Sequence, residues 1–529
     1  MDSAATSPGL SVPPRRRTRS RRARSTVLLL VSIFVVATCG LVYELLAGAL
    51  SSYLLGNSVT QFSLVIGLFL TAMGGGSFAS RFVRRRLIRT FILVELLVGL
   101  LGGSSALLLF FAYAAVGVYL PVLVAACALV GFLVGLEIPL LVRILRRRGS
   151  LRATIGNVLS LDYLGALAAS LLFPLVLVPR LGLVRTGFLF GLLNVLVALL
   201  GLRFFARQTR GLFLRLGAWG AAAVLALGLA TAGRTTSWLE DLLYDDPIVF
   251  ARSTPYQRIV LTRWRGDVRL FIDGNIQLSS VDEYRYHEAL VHPAFGLVRE
   301  PKEVLVLGGG DGMAIREILK YPSVRRVDLV DLDAEMTRLF SRLPPLAALN
   351  QRSLSDPRVR IFHTDAQKFL EEHAQAYDAI VIDLPDPNNE GLGKLYSRSF
   401  YRLVAQHLRP EGVFVTQATS PFYAAEAFWC IVNTIRASNP GGGGPALHAL
   451  PYHGHVPSFG DWGFVLGSTR ALSPSAVRLG VPTRFLTPEL VPSLFVFPKD
   501  MGPRATPINR LDNQVLVRLY DQGYKRFNR

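Results

Sequence analysis

The chain is short of cysteine, of charge in general and of acids in particular, and each shortage excludes something. Three cysteines in 529 residues are too few for a disulfide framework. Cys39 and Cys127 fall inside apolar stretches, and Cys430 stands alone. Only 18% of residues are charged against 51% hydrophobic, and mean hydropathy is +0.38. That excludes a disordered or fibrous chain and argues against an ordinary cytosolic globule. Acids number 37 against 57 Lys and Arg, a net charge of +20. Such an excess points to nucleic acid where the arginines share a soluble face. Here the N-terminal ones form short runs between apolar stretches, which is the pattern of membrane topology, so no nucleic-acid partner is expected. His287 has no metal-ligand spacing around it, and no metal is expected.

What is present in the first half is apolar length. A membrane span needs about 20 apolar residues. Seven segments qualify: 26–50, 59–80, 91–112, 118–142, 154–178, 183–202 and 212–232. The first is too long for a signal-peptide core, and more spans follow it. Residues 1–25 form a basic tail containing Arg15, Arg16, Arg17 and Arg24. Arginine-rich connections (Arg81 to Arg89, Arg143 to Arg152, Arg203 to Arg210) alternate with neutral ones near 51–58 and 113–117. Positive-inside logic puts the N-terminus in the cytoplasm of a multi-pass plasma-membrane protein. Seven crossings then place everything after 232 outside, and one missed or half-span reverses that. The loop charges leave the side of the second half open. Glu44, Glu95, Glu137 and Asp162 lie in or near spans, where an acid is by default a functional candidate. Because they share no one depth along the sequence, span ends or pairing with arginine is the favoured reading. Gly74, Gly75 and Gly76 are expected to let helices pack closely.

After 232 charges, prolines and turns appear, and no 20-residue apolar run remains. Residues 233–300 read as a small β-rich unit: IVLTRW, VRLFIDG and NIQLS alternate as strands, and Asp273-Gly274 is a hairpin turn. A closing helix is expected over 282–298. From 301 to 529 strands alternate with helices, which predicts a parallel, doubly wound Rossmann-like sheet. EVLVLGGGDG, RRVDLVDLD, RVRIFHTDA, YDAIVIDLPDP, EGVFVTQ and GFVLGS are its strands, and Gly441 to Gly444 a flexible connection.

Chemistry gathers at the strand ends. Gly308-Gly309-Gly310-Asp311-Gly312 follows a buried strand and opens a helix, so a ligand can approach the backbone of Gly308 and Gly310 closely. Asp331 ends the next strand about 20 residues on, where an acid can hold the ribose of an adenosine. Asp365 and Ala366 follow the third strand and could contact adenine. Asp383 and Asp386 end the fourth. Any one of these aspartates could be a cap or a turn, but four successive strand ends facing one crevice point to a ligand. Methyltransferases typically carry an acid two residues before the first glycine, where this chain has Val306. The acid stands inside the loop instead, at Asp311. It would repel the carboxylate of S-adenosylmethionine and attract the ammonium of a decarboxylated derivative. That favours aminopropyl over methyl transfer.

These stretches, VLVLGGGDGMAIREILKYPSVRRVDLVDLD with LFIDGNIQLSSVDEYRYHEALVHPAF and YDAIVIDLPDPNNEGLGKLYSRSFY, resemble the spermidine synthases, the polyamine aminopropyltransferases. LVYELLAGALSSYLLGNSVTQFSLVIGLFL resembles the membrane half of multi-pass bacterial members. The resemblance implies transfer from decarboxylated S-adenosylmethionine, a co-substrate rather than a prosthetic group, to putrescine. It gives Gln257 to the thioadenosine, and Tyr286 and His287 to the polyamine and aminopropyl site. Asp311 would take the aminopropyl amine, Asp331 the ribose, Asp365 and Ala366 the adenine. Asp383 would accept the proton, Asp386 bind the amine, and Tyr452 correspond to a tyrosine near it. Met313, Asp331 itself (usually Glu), Leu384-Pro385 and the long YHGHVPSFGDWGFVLG depart from the family pattern. The last two shape the amine pocket, so another acceptor, or S-adenosylmethionine as donor, remains an alternative. So does a membrane transporter or sensor of polyamines with a binding domain. The partners implied are the amine, the sulfonium donor and the lipid bilayer, with a homo-oligomer left open.

Overall fold

The computed structural model describes residues 16–55, 58–146, 150–206, 208–209, 211–439 and 447–527. Arg15, Arg147, Arg148, Arg207, Arg210 and the glycines 441–444 lie outside them. The chain forms two compact units, Met1–Leu243 and Tyr244–Arg529. The division falls past the expected 232 because the last helix of the first unit stays helical to Asp241.

The first unit is helical: α1 (Arg16–Leu55), α2 (Ser58–Ala79), α3 (Leu87–Phe111), α4 (Tyr119–Arg146), α5 (Leu151–Leu172), α6 (Val178–Phe204) and α7 (Leu212–Asp241). Among the described residues six helical runs are long and apolar enough to cross a membrane. The expected fifth and sixth spans belong to one 53-residue run, Arg152–Phe204. A π-turn over Phe173–Leu177 joins them, and the run breaks at Gly182 (φ 76°, ψ 174°). Glycines set the helix spacing. A Cβ at Gly99 of α3 would stand 2.8 Å from the Gly191 carbonyl oxygen of α6, and one at Gly191 2.5 Å from that of Gly99. Of the 74–76 triplet only Gly76 is a packing glycine, since a Cβ there would meet the Phe132 carbonyl oxygen at 1.9 Å while Gly74 has nothing within 4 Å. The acids are also placed differently from expectation. Glu95 and Glu137 are buried in mid-helix, and among the described residues no arginine pairs with either. Glu95 instead accepts from Asn194 Nδ2 at 3.2 Å.

The second unit opens with a four-stranded antiparallel sheet, β1 (Ile248–Ser253), β2 (Arg258–Trp264), β3 (Asp267–Ile272) and β4 (Asn275–Ser279), in that order. The expected turn at Asp273-Gly274 is present, with φ of 49° and 81°, the mirror-image turn that suits strand twist. Helix α8 (Glu283–Phe295) follows it; contrary to the expected closing helix, its main packing is on the second sheet rather than on this one.

The second sheet alternates with helices along β5 (Glu303–Gly308), α9 (Met313–Ile318), β6 (Arg326–Val330), α10 (Ala334–Arg342), α11 (Pro344–Leu349), β7 (Val359–Phe362), α12 (Ala366–Glu372) and β8 (Tyr377–Asp383). It continues through α13 (Glu390–Gly393), α14 (Arg398–Gln406), β9 (Leu408–Gln417), α15 (Ala425–Arg436), β10 (His448–Val456), β11 (Gly460–Ser468) and a last helix α16 (Val515–Lys525). Seven strands lie in the order β10-β11-β9-β8-β5-β6-β7. The five from β9 to β7 are parallel. Contrary to a wholly parallel sheet, β11 runs antiparallel to β9 and β10 antiparallel to β11. The three residues between β10 and β11 are too few for a parallel crossover. Strand order reverses at β5, which has β8 on one side and β6 on the other. Open α/β sheets bind ligands outside the strand carboxyl ends at such a point.

Candidate active site

A cavity of about 840 Å³ opens at that point. Gln257, Tyr286, His287, Gly308, Gly310, Asp311, Asp331, Asp365, Ala366, Asp383 and Asp386 all line it. The glycine loop is there because backbone must touch backbone. Gly308 pairs with Asp383 across β5 and β8, has φ 81°, and a Cβ on it would stand 2.1 Å from the Asp383 carbonyl oxygen. Asp311 turns the loop into α9 by accepting from Met313 N at 2.8 Å.

The side of the cavity at the β6 and β7 ends is already ordered by hydrogen bonds. Asp331 accepts from Gly310 N (3.0 Å) and Asp333 N (2.8 Å). Burial nevertheless pushes its pKa up to about 6, and these amides only moderate the rise. Asp365 caps α12 through Gln367 N and Lys368 N and takes Lys394 Nζ at 2.6 Å. Lys394 and the amides outweigh burial and hold Asp365 below its ordinary range. Gln257 donates to Asp333 Oδ2 at 3.0 Å. Asp333 and Lys394 were not picked out from the sequence. The signal for Asp333 is the second acid of Asp331-Leu332-Asp333, two residues on.

The other side holds the carboxylates of the β8 end. Asp383 Oδ1 accepts from the Tyr286 hydroxyl at 2.7 Å. Burial lifts Asp383 to about 6; Asp311 adds to the rise, while His287 and Tyr286 oppose it. Asp386 is lifted to about 6 by burial as well. Its Oδ2 accepts from Thr419 Oγ1 at 3.3 Å, whereas its Oδ1 is buried with no hydrogen-bond partner. Such an acceptor is costly unless something arrives to satisfy it. Leu384 and Pro385 do line the cavity, and Gln417 Nε2 pins the Leu384 carbonyl at 2.7 Å.

His287 is the cation facing these acids. Its Nδ1 lies 2.9 Å from Glu283 Oε2. Arg316 grips both Glu283 oxygens at 2.8 and 2.9 Å and reaches Glu317, which in turn meets His292. Burial works against a charged ring, but Glu283, Asp311 and Asp383 outweigh it and hold the His287 pKa at about 9. The buried ion network behind the histidine was missed, because its members are scattered over α8 and α9.

Tyr452 is the expected site residue that the structure does not bring to the cavity. It is fully buried, donates to the Ala289 carbonyl at 2.7 Å and stacks on Phe464. Strand alternation explains the difference: Tyr452 faces α8, and His455, three residues on and so on the other face of β10, lines the cavity.

Fold and crevice together define a Rossmann-like protein with a glycine loop and a cluster of carboxylates facing one cavity at the strand ends. Residues 283–470 match the spermine/spermidine synthase domain. The chain is 50% identical over 513 residues to polyamine aminopropyltransferase 2 of Ralstonia nicotianae, covering 95% of this chain and 99% of that one. It is 46% identical over 501 residues to the polyamine aminopropyltransferase of Leptospira interrogans, covering 94% and 99%. The crystal structure of a spermidine synthase in complex with the transition-state analogue AdoDATO aligns with a TM-score of 0.43 at 24% identity, covering 48% of this chain and 88% of that one. The chain belongs to the polyamine aminopropyltransferase family and is an aminopropyltransferase.

Proposed function

We propose that this chain moves the aminopropyl group of decarboxylated S-adenosylmethionine onto putrescine, giving spermidine and methylthioadenosine. The observation that carries the reading is one cavity bearing Asp311, Asp383 and Asp386 together. The amine nitrogen attacks the propyl carbon beside sulfur. The C–N bond forms as the C–S bond breaks, and the bonding pair leaves with sulfur, turning a sulfonium into a neutral thioether. Asp383 takes the proton that the nitrogen gives up. At about 6 it is a better base than an aspartate in water, yet still far below an alkylamine. Alignment and desolvation therefore supply much of the rate. Asp386 holds the far ammonium, Asp311 the donor's own ammonium, and Tyr286 and His287 steady the acids between them. Asp331 binds the ribose, and Gln257, Asp365 and Ala366 the rest of the thioadenosine. Product analysis with decarboxylated and ordinary donor, each against a panel of diamines, tests this. One spermidine per methylthioadenosine from decarboxylated donor is expected; turnover of S-adenosylmethionine overturns it.

We further infer that the helical unit is a multi-pass anchor in the plasma membrane. Its apolar runs support this, as do side chains such as Phe213 (91% exposed) and Leu175 (71%), which suit lipid better than water. A straight 53-residue helix would be about 80 Å long, well over twice the hydrocarbon thickness. The break at Gly182 therefore supports two crossings there and seven in all. A reporter fused to the C-terminus reads the side on which the catalytic unit lies.

A further inference from the structure

The family domain ends at residue 470, but the cavity does not. Helix α16, 45 residues further on, returns to it and contributes Tyr520 and Tyr524. Two devices hold the helix there. Asn509 ties the approach to it by donating to the carbonyls of Gly393 (2.9 Å) and Tyr396 (3.1 Å). Gly523 lies so close to the 423–424 backbone that a Cβ would stand 2.7 Å from Ala424 Cα. One turn apart on the helix, the two tyrosines present one face. Their ring centroids are 4.7 Å apart, and Tyr423 stacks on Tyr524 at 5.9 Å. The Tyr520 hydroxyl is turned to Asp386, and that of Tyr524 lies 3.4 Å from Thr419 Oγ1. Thr419 is itself held at φ 58°, a left-handed conformation costly for a β-branched residue.

We propose that α16 is the specificity wall of the acceptor pocket: Tyr520, backed by Tyr524 and Tyr423, stands behind Asp386 and limits the acceptor to a short diamine. The inference rests on the reading that Asp386 holds the acceptor's far ammonium. A terminal –NH₃⁺ fits this corner. It satisfies the orphaned Asp386 Oδ1 by a charge-assisted hydrogen bond and meets aromatic faces that favour a cation. An acceptor with a further propylamine arm must push past the tyrosines and leave that oxygen unsatisfied.

The test is steady-state kinetics of the full-length enzyme with putrescine, cadaverine and spermidine as acceptors, for Tyr520→Ala, Tyr520→Phe and Asp386→Asn. In Tyr520→Ala the kcat/KM ratio of spermidine to putrescine is expected to rise about 10-fold or more, the scale of one lost contact. In Tyr520→Phe, which keeps the ring and its packing, the putrescine KM is expected to rise by more than kcat falls, with donor KM unmoved. Equal losses for all three amines in both Tyr520 variants would overturn the wall. If Asp386→Asn left every amine KM unchanged, the underlying assignment of Asp386 would fall instead. A rise in amine KM there, with flat ratios at Tyr520, would sink the wall alone.

Discussion

The Tyr286 hydroxyl donates a 2.7 Å hydrogen bond to Oδ1 of Asp383, tying α8 to the end of a central strand. The donor stabilises the carboxylate, while burial of Asp383 favours its protonated form. Tyr286→Phe removes the opposition. Asp383 then titrates at higher pH, so the acid limb of the kcat/KM profile moves up from about 6, and activity at neutral pH drops roughly 10-fold for a bond of this kind. A pH–rate profile of the variant checks both; an unmoved limb contradicts the assignment.

His287 governs the alkaline side. Its pKa is raised from 6.5 to about 9, so its charge contributes stability that is fully present below pH 6.5 and lost as pH rises through 9. Glu283→Gln removes the carboxylate beside Nδ1. The alkaline limb is expected to move down toward neutrality. Stability also falls, by about 3 kcal/mol or more, because Arg316 loses its buried bidentate partner. Urea titration and rate profiles at pH 6 to 10 measure the two effects.

Gly308→Ala tests the loop. With φ at 81° and the Asp383 carbonyl 2.1 Å from the new Cβ, the two strand ends must separate. Since small misplacements at a reacting centre are expensive, kcat is expected to fall about 100-fold or more. Donor affinity, read by calorimetry with methylthioadenosine, should weaken with it.

Tyr452→Phe separates core from site. It strips a buried hydroxyl from the Ala289 carbonyl and is expected to cost about 1–3 kcal/mol in stability. The putrescine KM should not change. A KM effect without a stability effect would return Tyr452 to the amine pocket.

Much of this was legible in the chain. Gly308 to Gly312 and the aspartates at 311, 331, 365, 383 and 386 could be read because a parallel sheet places successive strand ends along one edge, and the spacing reveals those ends. Tyr452 was misplaced because the face of an antiparallel strand follows from its register with β11, which one sequence does not display. Tyr520 and Tyr524 were not seen because a helix joins the site from about 130 residues downstream of Asp386 by tertiary docking. The burial of Glu95 and Glu137 was misjudged for a similar reason: which face a helix turns to its neighbours is set by tertiary packing.

Asp383→Asn in the full-length enzyme is the decisive comparison. The pKa of Asp383 is raised from 3.8 to about 6. The native state therefore binds more protons than the unfolded chain in that interval, and stability falls as pH climbs through it. Above pH 6 the ionised carboxylate costs the fold up to about 3 kcal/mol, which the amide removes. At pH 8 the variant should melt no lower than the parent and bind the donor as well, while kcat falls at least about 100-fold, as for loss of a general base. Undiminished turnover in a folded, donor-binding Asp383→Asn enzyme would contradict the assignment of Asp383 as the proton acceptor.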